Sequence, residues 1–199
     1  MALSSISDAA PMSTPESGLE EKVKGSHLVL VSEWVDRHLG DGAFTRMTGD
    51  RWGVVLPVAW YEVDALLDVY AEASRKTSKP IEEIAAEIAQ LNAERDLTSI
   101  YRLFLRIAQP QRVLSHTPRL WRTYVSFADG RALRNDRGHY IGQGSGFTAK
   151  QIEWACGCWY GFIPTAIRLS GGKDIKPTID REWNEERQLY SLTLTVKYS

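Results

Sequence analysis

Apolar residues recur at intervals of three and four through the first half of the chain, the spacing of one buried helix face. Ile81, Ile84, Ile88 and Leu91 form one such stripe. Another run ends at Gly40, and glycine is common just beyond a helix. The pattern predicts five helical segments: residues 26–39, 58–76 after Pro57, 78–94, a continuation to Pro110, and 111–127 with an interruption near Pro118.

The period changes to two after residue 130, which is typical of strands with one buried face. Two short strands are predicted at residues 131–134 and 139–142, and a long helix at 148–169. Residues 175–183 and 190–198 alternate between apolar and polar and form a second hairpin. We therefore predict an α+β fold, with N-terminal helices packed on a small four-stranded antiparallel sheet made of two hairpins separated by a long helix.

The most unusual segment, HYIGQGSGFTAKQ, covers residues 139–151 and contains Gly142, Gly144 and Gly146. Such a segment raises the possibility of a phosphate cradle, but its spacing is G-x-G-x-G and no Walker lysine follows. Thr148 and Gln151 instead fit a capping box at the start of a helix. We interpret the segment as the junction between a hairpin and the long helix.

Composition places the chain among globular proteins. With 199 residues, 43% of them hydrophobic and 25% charged, it has the size of one domain. Residues 1–21 are rich in Ser, Pro and Ala and are predicted to be a disordered tail, which leaves a single domain at 22–199. The net charge of −1 gives no general attraction to nucleic acid or to an anionic membrane. No apolar run is long enough to cross a bilayer, and a cytoplasmic protein is expected.

Several short motifs resemble known families. VKGSHLVLVSEWVDRHLG and AWYEVDALLDVYAEAS, with Lys24-Gly25, Gly40 and Trp60-Tyr61, resemble the opening of an uncharacterised family abundant in myxobacteria. The order of elements over residues 22–199 also resembles three groups: the haem nitric-oxide/oxygen-binding domain, the 4-vinyl reductase domain and the small subunits of the TRAPP complex. The resemblance implies a sensory or scaffold module that holds haem or a small apolar molecule between helices and sheet, and several relatives are dimers.

Haem is the best-defined cofactor that the resemblance implies. In the haem-binding relatives, a histidine on the helix before the first hairpin ligates iron, and His116 lies on or just before the corresponding helix here. The relatives also hold the propionates with a Tyr-x-Ser-x-Arg motif, which is missing near HYIGQGSG. The cofactor is therefore left unknown, with haem disfavoured.

Metal and catalytic sites are not predicted. The four histidines are scattered, Cys156 and Cys158 sit two apart, and no His/Cys pair has the spacing of a zinc site. The paired cysteines that the 4-vinyl reductase relatives carry near their ends have no counterpart in the last hairpin. No Gly-x-Ser-x-Gly elbow or other organised nucleophile is present, so we expect no catalytic residues and no enzyme activity.

Aromatic residues give the best indication of a ligand, because indole rings can line an apolar pocket and offer an N–H to a bound group. Candidate ligand-binding residues are Trp60, Tyr61, Trp121, Tyr124, Trp154 and Trp159. A cluster of arginines is a candidate patch for an anion or an acidic partner, although pairing with carboxylates is the simpler interpretation: Arg119, Arg122, Arg131 and Arg134. The spacing of Gly157 and Gly161 indicates that another element packs closely against the long helix.

The function that these observations favour is a bacterial signalling or regulatory module. It would bind a small apolar ligand between helices and sheet, or a protein partner, and a homodimer is expected. A structural dimeric adaptor without a ligand, of the TRAPP kind, is the alternative. A haem-based gas sensor is the third possibility.

Overall fold

The computed structural model describes residues 21–99 and 109–199. Its elements are β1 (Lys22–Lys24), α1 (Gly25–Leu39), α2 (Ala43–Thr48), β2 (Trp60–Glu62), α3 (Val63–Thr77), α4 (Ile81–Ser99), α5 (Pro110–Leu114), α6 (Thr117–Tyr124), β3 (Asp129–Asp136), β4 (His139–Phe147), α7 (Ile152–Leu169), β5 (Lys176–Asn184) and β6 (Leu189–Lys197). The helices pack against a four-stranded antiparallel sheet, so the predicted α+β class is confirmed.

The four-stranded sheet has the order β3-β4-β6-β5 and contains both predicted hairpins. They join through β4 and β6, which pair from His139 opposite Lys197 to Phe147 opposite Tyr190. The inner face of β6 is fully buried at Leu192, a position of the predicted alternation. The first hairpin is longer than predicted, because the glycines of β4 continue the strand pairing instead of ending it.

The segment after Pro57 begins differently from the prediction. Trp60–Glu62 is not helical but pairs with Lys22–Lys24 as a two-stranded antiparallel sheet, and α3 begins only at Val63. Gly25 follows β1 directly and packs closely on the loop before β2, where an added Cβ would meet the Leu56 carbonyl oxygen at 2.0 Å. Strand pairing with a remote segment thus overrides the local helical pattern.

The predicted helix over residues 111–127 is two short helices, α5 and α6. Each has a proline in its first turn, which fits because the missing N–H is not needed there. The predicted interruption near Pro118 is therefore confirmed. Ile100, Leu103, Phe104 and Ile107, which continue the preceding apolar stripe, lie outside the described residues.

The long helix α7 is the centre of the core and packs directly on α4. An added Cβ on Gly157 would lie 2.3 Å from the Glu82 carbonyl oxygen, and one on Gly161 would lie 2.1 Å from that of Ala86. Both glycines therefore allow the two helix backbones to touch, as their spacing predicts. None of the helices within the described residues is long and apolar enough to span a membrane.

Candidate functional site

A cavity of about 60 Å³ lies where the helices meet the sheet. Residues of β1, α1, α4, α6, β4 and α7 line it, so both halves of the fold contribute to its walls. Three indole rings, those of Trp121, Trp154 and Trp159, border it, and we call it the indole cavity. The volume is less than half of that of an engineered apolar cavity of ~150 Å³ that binds benzene.

Two helices bring the three indole rings together. Trp154 and Trp159 are on α7 and are almost fully buried, whereas Trp121 is on α6 and is half-buried. The Trp121 ring centroid is 5.7 Å from that of Trp159, in an edge-to-face arrangement, and 6.1 Å from that of Trp154. Such aromatic contacts favour a fixed geometry, and they help to hold α6 on α7.

The glycines of β3 and β4 form the seat of the Trp159 ring. A Cβ added to Gly142 or Gly144 would lie 3.0 Å from carbon atoms of that ring, and one on Gly130 would lie 3.4 Å from it. Gly142 and Gly144 face the core, so the glycine-rich segment makes room for an indole and does not present its backbone to a phosphate. Of its three glycines, Gly146 has the left-handed conformation (φ 93°), at the strand irregularity that precedes the helix.

The junction with α7 contains half of the predicted capping box. The Gln151 side chain reaches back and accepts a hydrogen bond from the Thr148 N–H at 2.9 Å. The Thr148 side chain makes no corresponding bond, and Gln151 itself occupies the N-cap position of α7. The helix therefore begins later than predicted, at Ile152.

His27 is the functional candidate that the sequence does not reveal. It lines the indole cavity, is 4% exposed, and its Nε2 lies 3.1 Å from the Tyr70 hydroxyl. Burial lowers the pKa of His27 from 6.5 to about 4, so the imidazole is neutral at pH 7. In the sequence, His27 stands out only as a polar residue within the apolar stripe of α1, next to Leu28.

The titration of His27 gives a testable pH dependence. Because the folded-state pKa of about 4 lies below 6.5, the unfolded chain takes up the proton more readily. The stability that neutral His27 contributes is therefore complete above pH 6.5 and is lost as the pH falls from 6.5 towards 4. Between pH 7 and pH 4, we expect the free energy of unfolding to fall by roughly 3 kcal/mol more in the parent than in His27→Gln.

Urea denaturation of both proteins across this pH range provides the measurement. Carboxylates titrate in the same interval, but they are common to both proteins, so the difference between the two curves isolates the imidazole. Parallel curves would show that His27 is not held neutral by burial.

Four of the six aromatic residues predicted to bind a ligand line the indole cavity: Trp121, Tyr124, Trp154 and Trp159. Trp60 and Tyr61 do not, because β2 places them at the two-stranded sheet. Trp60 is 40% exposed beneath the Lys24 ammonium, and the Tyr61 hydroxyl accepts from the Leu56 N–H at 2.8 Å. The predicted set therefore divides into a cavity group and a separate structural pair.

His116 and the arginine cluster lie on the outside. His116 is exposed, just before α6, and is not part of the cavity wall. Arg122 pairs with Asp129 at 2.8 Å, Arg131 bonds Gln143, and Arg134 pairs with Asp136 at 2.6 Å. Two of these three guanidinium groups pair with carboxylates of β3 and the third bonds an amide of β4, so each has a partner within the protein.

Arg119 is exposed as well, on α6. Within residues 21–99 and 109–199, no group of three or more His, Cys, Asp or Glu side chains could hold a metal ion. Cys156 and Cys158 are buried free thiols, and burial raises the pKa of Cys156 to about 11. Neither thiol has the low pKa of a reactive nucleophile.

The architecture matches a group of solved structures over most of its length. A structure from work on haem distortion in the H-NOX family superimposes with a TM-score of 0.67 over 88% of this chain and 95% of the other, at 14% identity. The chain has an H-NOX-like fold. The Fe(II) unliganded H-NOX protein from K. algicida gives a TM-score of 0.66 at 11% identity, over 88% of this chain and 96% of that chain.

An oxygen-binding H-NOX domain related to soluble guanylate cyclases matches 88% of this chain and 95% of its own, with a TM-score of 0.61 and 13% identity. No protein-family model and no characterised protein sequence matches the chain. The sequence resemblance to the haem nitric-oxide/oxygen-binding domain is therefore confirmed for the fold. The resemblance to a myxobacterial family stays a prediction.

The prediction that disfavoured haem needs correction. One neighbour with this fold comes from work on haem distortion and another is an Fe(II) protein, so haem is the first cofactor to test. The chemistry of the cavity wall is suitable in one respect, because His27 supplies a neutral imidazole, a common iron ligand.

In this conformation, the indole cavity is suited to a molecule smaller than haem. Pockets that bind drug-sized ligands have volumes of about 300–1,000 Å³, and the indole cavity has about 60 Å³. As arranged, the described residues do not enclose a porphyrin, and its entry would require that Trp121, Trp154 and Trp159 move. His116 would also have to turn inwards to serve as the predicted iron ligand.

Proposed function

We propose that this chain is a non-enzymatic sensor domain that binds a small molecule in the indole cavity. One observation carries the proposal: the cavity lies between helices and sheet, and six elements meet at it. A ligand there would contact α6, α7 and β4 together, so its binding energy could favour one arrangement of these elements over another. The H-NOX-like fold supports the same interpretation.

Helix α6 is the element that we propose to respond. It supplies Thr117, Pro118, Leu120, Trp121 and Tyr124 to the cavity wall. It is also attached elsewhere: the Tyr140 hydroxyl lies 2.8 Å from that of Thr117, the Tyr124 hydroxyl donates to the Asp96 carboxylate of α4, and Arg122 pairs with Asp129 on the surface. A ligand that displaced Trp121 would therefore shift α6 relative to the sheet and alter the surface that a protein partner meets.

Two probes test whether the cavity binds ligands. Dissolved xenon, which enters small apolar cavities, is titrated into ¹⁵N-labelled protein, and haemin is titrated separately while the Soret absorption is followed. We expect saturable chemical-shift changes from xenon at Trp121, Trp154 and Trp159, with Trp34 and Trp183 unchanged as internal controls. Stoichiometric haem binding whose Soret band shifts in His27→Ala would make the sensor haem-dependent.

If neither xenon nor haemin binds, the sensor proposal is wrong and an adaptor function is favoured. A specific observation supports that second candidate: the loop between α2 and β2 exposes Val54 (81%), Leu56 (55%) and Val58 (78%). Contiguous exposed apolar side chains often mark a protein contact. Light scattering after size exclusion, comparing the parent with a Val54→Ser/Val58→Ser variant, would then show whether this loop supports the predicted dimer.

A further inference from the structure

The indole cavity has polar donors without acceptors. The Nε1 atoms of Trp121, Trp154 and Trp159 are all buried and make no hydrogen bond, and all three rings line the same cavity. A buried donor normally has a partner, because leaving it unpaired costs about 1–3 kcal/mol. Unpaired donors gathered at one cavity therefore indicate that an acceptor belongs inside it.

Trp121 and Trp159 carry the inference most directly. Trp154 also adjoins the Tyr70 hydroxyl, although its N–H does not reach normal hydrogen-bond geometry. Trp159 is 6% exposed and is fixed by its glycine seat, so its N–H cannot turn to bulk water without moving the ring. Trp34 provides the contrast, because its Nε1 donates to Glu87 at 2.8 Å, as a satisfied indole does.

The walls also restrict the charge of the occupant. Within the described part of the chain, no Lys, Arg, Asp or Glu lines the indole cavity. An anion or a cation would therefore lose its hydration without gaining an opposite charge, which is costly in an apolar cavity. An occupant that stays neutral and offers one or two oxygen lone pairs avoids this cost.

Resting on the proposed function, we infer that the ligand of the indole cavity is a small uncharged molecule with a hydrogen-bond-accepting oxygen, held by the N–H groups of Trp121 and Trp159. The volume of about 60 Å³ suits a molecule of a few non-hydrogen atoms. The predicted ligand is thus not wholly apolar, because one end of it accepts hydrogen bonds from the indoles.

Acetone and isobutene form a matched pair of probes, since they share their shape and differ in the carbonyl oxygen. Each is titrated into the unmodified ¹⁵N-labelled protein, and the indole N–H resonances are assigned with single Trp→Phe variants. We expect both probes to bind saturably. Acetone should move the Trp121 and Trp159 indole protons downfield, the direction of hydrogen-bond formation, whereas isobutene should not.

The affinities of both probes are measured for the parent and for a variant, because the difference in hydration free energy between the probes then cancels. Trp159→Phe should weaken acetone binding by about tenfold more than it weakens isobutene binding, the effect of one lost hydrogen bond. Trp121→Phe is the second variant in case Trp159→Phe does not fold, and it tests the other N–H group in the same way. Acetate should bind more weakly than acetone at pH 7.

The outcomes separate this inference from the function on which it rests. Isobutene binding without any acetone-dependent shift of the indole protons would leave a ligand-binding cavity but overturn the acceptor class. Tighter binding of acetate than of acetone would overturn its neutrality. Indole protons that exchange with trapped water and do not respond to saturating acetone would show that water alone satisfies them. If xenon, haemin and both probes all fail to bind, the sensor proposal fails as well.

Discussion

Replacing Gly161 by alanine is expected to lower the free energy of unfolding by about 3 kcal/mol, near the upper end of the cost of overpacking a core. The added methyl group would lie 2.1 Å from the Ala86 carbonyl oxygen and 2.9 Å from its Cα, both backbone atoms of α4. Backbone atoms cannot rotate away as a side chain can, so α4 and α7 must separate. This opposes the gain of nearly 1 kcal/mol that alanine normally brings to a helix interior.

Urea denaturation followed by circular dichroism measures the effect. Gly157→Ala should behave similarly, because its methyl group would lie 2.3 Å from the Glu82 carbonyl oxygen. Gly130→Ala is a control for adding a methyl group without a backbone clash, since the nearest atom to that group would be a side-chain carbon of Trp159 at 3.4 Å. A Gly161→Ala protein as stable as its parent would mean that α4 and α7 do not touch at this position.

This contact is among the features that the sequence predicts well. The spacing of Gly157 and Gly161 lies within one helix, and close packing is the main physical reason for small residues one turn apart. The partner helix is not specified by that spacing. It is α4, and the match depends on the Ala86 backbone, which lies far from α7 in the chain.

Features that depend on remote partners were harder to predict. Trp60–Glu62 has a helical pattern, but its conformation is decided by pairing with Lys22–Lys24. His27 acquires its properties from Tyr70 and Trp154, which no local pattern connects to α1. His116 suited the position of an iron ligand in sequence order, yet it is exposed at the start of α6.

Trp159 illustrates both what the sequence predicts and what becomes clear only from the structure. Its place on α7 and its candidacy for a ligand pocket follow from the sequence. The role of Gly142 and Gly144 does not, because a strand glycine reveals nothing about the ring that lies over it until the register is known. The glycine-rich segment and Trp159 form one structural unit. Because the glycines have no side chains, they leave space on the sheet for the large indole ring of the helix.

Trp159→Ala is the second change with a large expected effect, a loss of about 4 kcal/mol in the free energy of unfolding. The ring is 6% exposed and packs on the sheet and on Trp121, so its removal leaves an apolar void. Trp183→Ala is the control: that ring is 38% exposed on the β5–β6 hairpin, where it contacts Tyr190. We expect it to cost less than half as much.

The void left by Trp159→Ala should bind free indole. Such binding distinguishes a rigid seat, which keeps its shape, from a core that collapses once the ring is removed. Indole at about 100 times its dissociation constant should raise the stability of Trp159→Ala by roughly 2.7 kcal/mol, because it binds only the folded state. The parent cavity of about 60 Å³ is too small for it, so the melting temperature of the parent should not change. Failure of indole to stabilise Trp159→Ala would show that helix and sheet close over the gap. The seat would then be maintained by the Trp159 ring itself, and the space between helices and sheet would adapt its size to what occupies it.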